Sequence, residues 1–275
     1  MNLTQALEFA TRSDPGMVRS NNEDSVCVNP VWGLAVLADG MGGYNAGEVA
    51  SGMATALLGT ELEKVFVEKE SFGRVTATGF LWVHEVLERE IARTNSAIYQ
   101  SARSQPQYAG MGTTLVMAVF HDNLMTVAHI GDSRLYRLRG EQFEQVTRDH
   151  SFLQEQIDSG LITKEQARHA QGKNLVLRAL GIDPQVEPEI HDYEVAVGDV
   201  YLLCSDGLND MVEDVELGET LQALSANLEL CATQLIQMAN DNGGRDNVSV
   251  ILVKVRNEFG APRSRWTRLL AWFGK

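Results

Sequence analysis

Three short apolar runs in this chain give way to an aspartate beside a glycine, and a fourth aspartate stands in a glycine-rich loop just ahead of another run. Residues 34–38 lead into Asp39-Gly40-Met41-Gly42-Gly43, and Ala128-His129-Ile130 leads into Gly131-Asp132. Leu202-Leu203-Cys204-Ser205 leads into Asp206-Gly207, and Gly243-Gly244-Arg245-Asp246-Asn247 precedes the run at 248–255. Runs of this length and β-branched content suit core strands. A carboxylate at the end of such a strand is costly to bury unless a cation neutralises it. Any one Asp-Gly is first of all a turn dipeptide. Four in the same setting are expected to converge as a cluster of acids that needs divalent metal.

The 275 residues are enough for one large domain or two small ones with a substantial core. An apolar share of 44% beside a charged share of 22% is that of a soluble globular chain. A formal charge of −14 opposes nonspecific binding to nucleic acid and suits cation binding. Residues 1–9 lack the basic and apolar regions of a leader peptide. No stretch of about 18 apolar residues is present to span a membrane, and a cytoplasmic location is expected. Cys27, Cys204 and Cys231 are an odd number with no close pair, as buried thiols in a reducing compartment would be.

In chain order, residues 9–13, 25–29 and 32–38 read as strands joined by short turns, which favours antiparallel pairing. Val49, Met53, Ala56, Leu57 and Thr60 recur at helical spacing. Phe80, Val83, Leu87, Ile91 and Ile98 do the same in a second, longer helix with charged residues opposite. Residues 65–76 between them read as a polar loop. Runs at 113–120, 124–130, 135–139 and 143–147, separated by tight-turn chemistry, read as an antiparallel meander. Ser151-x-x-Gln154 and Thr163-x-x-Gln166 are capping boxes for two short helices, with Gly160 stopping the first. This excursion, residues 150–181, is the expected flap. Strands at 190–195 and 200–204, an amphipathic helix with Leu228, Cys231, Leu235 and Ala239 on one face, and the strand at 248–255 complete the body. The expected division is a domain over 1–258 and a tail over 259–275. That tail holds Arg263, Arg265, Arg268 and Lys275 with no acid, and Trp266, Leu269, Leu270 and Phe273 form a one-sided stripe if helical. It reads either as a segment laid on the protein's own surface or as a dock for an anionic membrane or a partner.

Arg19-x-x-Asn22-Glu23-Asp24, Asp39-Gly40-Met41-Gly42-Gly43, Gly110-Met111-Gly112-Thr113-Thr114, Gly131-Asp132-Ser133-Arg134, Ser205-Asp206-Gly207 and Gly244-Arg245-Asp246-Asn247 together resemble the metal-dependent serine/threonine protein phosphatases of the PPM, or type 2C, family. The six stretches occur in the family's order across residues 9–255, and the compact bacterial branch is the nearer likeness. The resemblance implies an α+β fold: a four-layer α-β-β-α sandwich, two central antiparallel sheets flanked by helices, with a helical flap insertion. It implies two Mn²⁺ or Mg²⁺ ions in the core site and a third beside them. Asp39 would bridge the two core ions, the Gly40 carbonyl would bind the first, and Asp206 and Asp246 would complete the second. Asp132 with Asp206 would hold the third. Arg19 would grip the substrate phosphate, and Glu23 and Asp24 would act through metal-bound waters.

The chemistry implied is hydrolysis of phosphoserine and phosphothreonine by direct attack of a metal-bridging hydroxide, without a covalent phospho-enzyme. Cys204 is then not a nucleophile, and no phosphate-cradling loop follows it. Met41 stands where animal members carry a histidine proposed as general acid. A methionine cannot donate a proton, so protonation of the leaving group falls to a metal-bound water or another residue. His150, at the mouth of the flap, reads as a capping or packing residue. Phosphorylated proteins and a cognate serine/threonine kinase are the implied partners, nucleic acid is not, and a monomer is expected.

Overall fold

The computed structural model describes residues 2–43, 46–68, 81–168 and 175–260. Two antiparallel sheets form its centre. One runs in the order β1 (Leu7–Asp14), β11 (Val248–Val255), β10 (Val200–Cys204), β7 (Arg134–Arg139), β8 (Gln142–Gln145). The other runs β2 (Asp24–Asn29), β3 (Leu34–Met41), β5 (Leu115–His121), β6 (Leu124–Ile130), β9 (Glu189–Glu194), with the short β4 (Gly112–Thr113) also on β3.

The period-two alternation of the strands divides the apolar side chains into three cores. Ala35 and Leu37 of β3 meet Tyr201 and Leu203 of β10 and Ile251 and Val253 of β11 between the sheets. Leu34, Val36 and Ala38 point the other way, onto α1 (Ala46–Val67) and α2 (Trp82–Ser104). Leu202, Val250 and Leu252 face α6 (Asp214–Leu224) and α7 (Leu228–Asp241) across the second outer core. The expected four layers are therefore built from strands that bury both faces.

Several expectations are corrected. β3 does not stop at Ala38; it runs on through Asp39 and Gly40 to Met41, because β4 pairs with its last two residues. The first helix extends to Val67, so the start of the connection read as a loop is helical. Phe80 lies outside the described residues, as does most of that connection. The four runs from 113 to 147 are not one meander. β5 and β6 pair in one sheet, β7 and β8 in the other, and the chain crosses between them at Gly131-Asp132-Ser133. A one-turn helix α5 (Asp206–Asn209) and α6 were not anticipated.

The flap opens with α3 (Phe152–Asp158) and α4 (Lys164–Arg168). Thr163 and Gln166 form both halves of the anticipated box, at 3.2 and 2.8 Å. Ser151 accepts from the Gln154 amide at 3.2 Å, whereas the Gln154 side chain turns to Asp158 instead. Phe259, counted with the tail by composition, is buried against Phe120. Residues 261–275, and with them the basic aromatic stripe, lie outside the described residues.

Candidate metal centre

Asp24 and Asp39 stand opposite each other in the β2–β3 ladder. Asp206 opens α5 directly after β10, and Asp246 lies just before β11, so the second sheet delivers its acids to the same end. Asp132 arrives on the crossing between the sheets. Burial pushes the Asp39 carboxyl well above the usual carboxylate range, and the charges of Asp24, Asp206, Asp132 and Asp246 push it further. Asp206 is raised in the same way by burial and then by Asp132, Asp210, Asp246 and Asp24. Burial, with Asp149 beside it, takes Asp132 up to about 7. Burial lifts Asp24 to about 6, against the pull of the neighbouring Ser249 and Ser205 hydroxyls, which favour its ionised form. The four expected aspartates thus do converge, and their mutual electrostatics show it.

The carboxylates are held from behind. The Asp39 amide donates to Thr114 Oγ1 at 3.1 Å, and its carbonyl accepts from the Thr113 hydroxyl at 2.9 Å and the Thr114 amide at 2.9 Å. Ser205 Oγ donates to Asp24 Oδ2 at 2.8 Å. Glu23 is raised by burial, while the Gly47 amide at the start of α1 hydrogen-bonds it. Gly40 is required by contact: a Cβ there would lie 2.2 Å from the Gly47 carbonyl oxygen and 2.5 Å from that of Glu23. Arg19 donates to Asp246 Oδ2 at 2.8 Å, so the anticipated phosphate-binding residue stands at the rim of the cluster.

The donors fit hard divalent cations, because every candidate ligand atom is oxygen. Asp24 Oδ1 supports the fit: it is a buried atom with no hydrogen-bond partner among the described residues. Beside Asp132 and Asp206, a cleft of about 270 Å³ runs under the flap, lined also by Asp149, Leu153, Lys164 and Asp210. Among the described residues, the one group of three whose donor atoms all lie within 4.8 Å of one another is His129, His150 and Glu189; the carboxylates of the aspartate cluster are spaced more widely. It is not built for a metal. The two imidazoles stack with centroids 4.8 Å apart and planes only 19° from parallel, so no nearby point lies in the plane of both.

Two contributors carried no assigned role in the sequence reading. Asp210 acts on both Asp206 and Asp132, and its signal was the four-residue spacing from Asp206. Asn247 ties down the Arg19 loop, accepting from the Glu23 amide at 2.8 Å and donating to the Asn21 and Pro15 carbonyls at 2.8 and 3.0 Å. Cys204, by contrast, is buried and its thiol is pushed up to about 12, so it carries no thiolate near neutral pH.

The sequence model of the protein phosphatase 2C family matches residues 19–248. The serine/threonine protein phosphatase PstP of Mycobacterium tuberculosis is 41% identical over 253 residues; these are 92% of this chain but 46% of that longer protein, so the chain spans about half its length. The serine/threonine phosphatase stp of Listeria innocua is 38% identical over 88% of this chain and 94% of its own. The solved catalytic domain of PstP, in complex with two manganese ions, superposes with a TM-score of 0.78 at 41% identity, covering 92% of this chain and 99% of that one. The chain belongs to the protein phosphatase 2C family, the metal-dependent serine/threonine protein phosphatases.

Proposed function

We propose that this chain removes phosphate from phosphoserine and phosphothreonine in proteins, with two Mn²⁺ or Mg²⁺ ions in the aspartate cluster and a third beside Asp132. The observation that carries the reading is the convergence of Asp39, Asp132, Asp206 and Asp246 from separate elements into one mutually repelling group. The manganese pair in the PstP catalytic domain supports the cation assignment. Bound ions would lower the pKa of a shared water and offset charge on the phosphoryl oxygens.

The residues divide the work by position. Asp39, with the Gly40 carbonyl, Asp206 and Asp246, would hold the core ions, and Asp132 with Asp206 would hold the third. Glu23 and Asp24 keep the surrounding water ordered. Arg19 turns from Asp246 to the phosphate dianion, a partner its planar fork fits in two directions. His150 is buried and hydrogen-bonded, so it does not replace the histidine absent at Met41. The substrates are products of a serine/threonine kinase in the same cytoplasm, and the catalytic body acts as a monomer. Docking of the tail to an anionic membrane or a partner belongs to the same proposal. Removal of 261–275, which spares the buried Phe259, should abolish co-sedimentation with anionic vesicles.

The central test is hydrolysis of p-nitrophenyl phosphate and of a phosphothreonine peptide by the purified chain. EDTA and Asp39→Asn should each reduce both to background. Activity that survives either treatment overturns the two-ion reading, and faster cleavage of bis-p-nitrophenyl phosphate would indicate a phosphodiesterase.

A further inference from the structure

Asp132 lies on the three-residue crossing between sheets, where neither ladder reaches it: β6 ends at Ile130 and β7 begins at Arg134. Something else must fix its carboxylate. Gly131, at φ +104°, has both its polar groups taken by one residue. Its carbonyl accepts from the His150 amide at 2.8 Å, and its amide donates to His150 Nδ1 at 3.2 Å. The other end of the crossing is held by the neighbouring residue. Arg134 Nε reaches both oxygens of Asp149 at 3.0 Å, Arg134 Nη2 donates to Oδ2 at 2.7 Å, and Gln145 adds a bond at 2.8 Å.

The His150 ring is set up for this task. An acceptor at Nδ1 places the proton of the neutral ring on Nε2, which donates to Glu189 Oε2 at 3.2 Å. Burial lowers the affinity of the ring for a second proton. His129 stacks on it, and His129 Nε2 donates to the Arg148 carbonyl at 2.8 Å. The same residue also faces the flap. The His150 carbonyl accepts from the Leu177 amide at 2.8 Å, and Ser151 caps α3.

We propose that His150 is a positioning residue for Asp132, holding Gly131 through Nδ1 while Asp149 holds Arg134, so that the flap and the Asp132 carboxylate share one anchor. Its meaning for cation binding rests on the phosphatase reading; its geometry does not.

Two variants separate the hydrogen bond from mere packing. His150→Asn keeps an acceptor at the δ position, whereas His150→Gln reaches toward Glu189 without one. Hydrogen–deuterium exchange of the segment 129–135 is measured on metal-free protein, and manganese binding by calorimetry. His150→Gln should speed exchange of the Gly131 amide about tenfold, the loss of about one hydrogen bond, and weaken the weakest manganese site by a similar factor. His150→Asn should stay near the parent in both. Equal exchange in the two variants, or unchanged exchange in His150→Gln, overturns the proposal. Should His150→Gln fail to fold, Glu189→Ala, at a half-exposed position, frees the ring without removing it and should raise Gly131 exchange; parent-like protection there overturns the proposal. Because exchange is read without metal or substrate, a chain with no phosphatase activity would still decide this point.

Discussion

The Arg19 guanidinium and the Asp246 carboxylate are hydrogen-bonded to each other at 2.8 Å. The group proposed for the phosphate and a group proposed for a cation are thus each other's partner in this structure. Arg19 is about half exposed, so the pair contributes under about 1 kcal/mol to stability. Arg19→Ala should leave the melting temperature within about 2 °C while raising KM for a phosphopeptide about ten- to hundredfold. Steady-state kinetics and a thermal melt check both halves; an unchanged KM would remove Arg19 from the phosphate.

The metal-free protein should become more stable as pH falls. Asp132 at about 7 and Asp24 at about 6 lie above their ordinary value of 3.8. Between those limits the folded state binds protons that the unfolded chain does not, so stability decreases as pH rises through the folded values. The destabilisation is fully present above about 7 and vanishes near 4. Urea unfolding with EDTA should show a gain of about 4 kcal/mol from pH 8 to pH 5. Saturating Mn²⁺ should flatten that slope, since it removes the mutual repulsion. A metal-free protein that loses stability over the same range contradicts the raised values.

Asp149→Ala should be among the most damaging substitutions away from the aspartate cluster. It leaves Arg134 buried with its main partner gone and frees one end of the crossing that carries Asp132. Removing one member of a buried pair costs about 3–5 kcal/mol. Chemical denaturation measures the loss, and Asp149→Asn, which keeps acceptor geometry, should recover part of it.

Thiol reagents should have no effect on activity. Cys204 and Cys231 are buried, with thiols pushed up to about 12 and about 11. Iodoacetamide at pH 8 should leave turnover unchanged, and inactivation that tracks labelling of Cys204 would reopen its role.

The convergence of the aspartates was more legible than the path of the chain. Asp39 and Asp206 were readable because each follows an apolar run, and Asp246 because it stands just ahead of one, settings in which a charge is costly. The crossing at Gly131-Asp132 was not, since a glycine beside an aspartate looks the same in a hairpin as in a step between sheets. α6 was missed because its N-cap is Glu213, an uncommon cap, although Glu216 completes a box with it. The ladder pairing of Asp24 with Asp39 depends on register between strands, which local pattern cannot supply. His150 read as packing for the same reason: its partners Gly131 and Glu189 are 19 and 39 residues away.

The cluster takes Asp39 from one sheet and Asp206 and Asp246 from the other, at the point where the apolar interior between the sheets ends. Without cations, this edge is where the two halves of the sandwich push apart, charge against charge. Cations held there, as proposed, would turn that repulsion into a clasp. The sandwich is therefore fastened from inside by its greasy middle, and on the proposed reading whatever fills the aspartate centre would also set how tightly that margin closes.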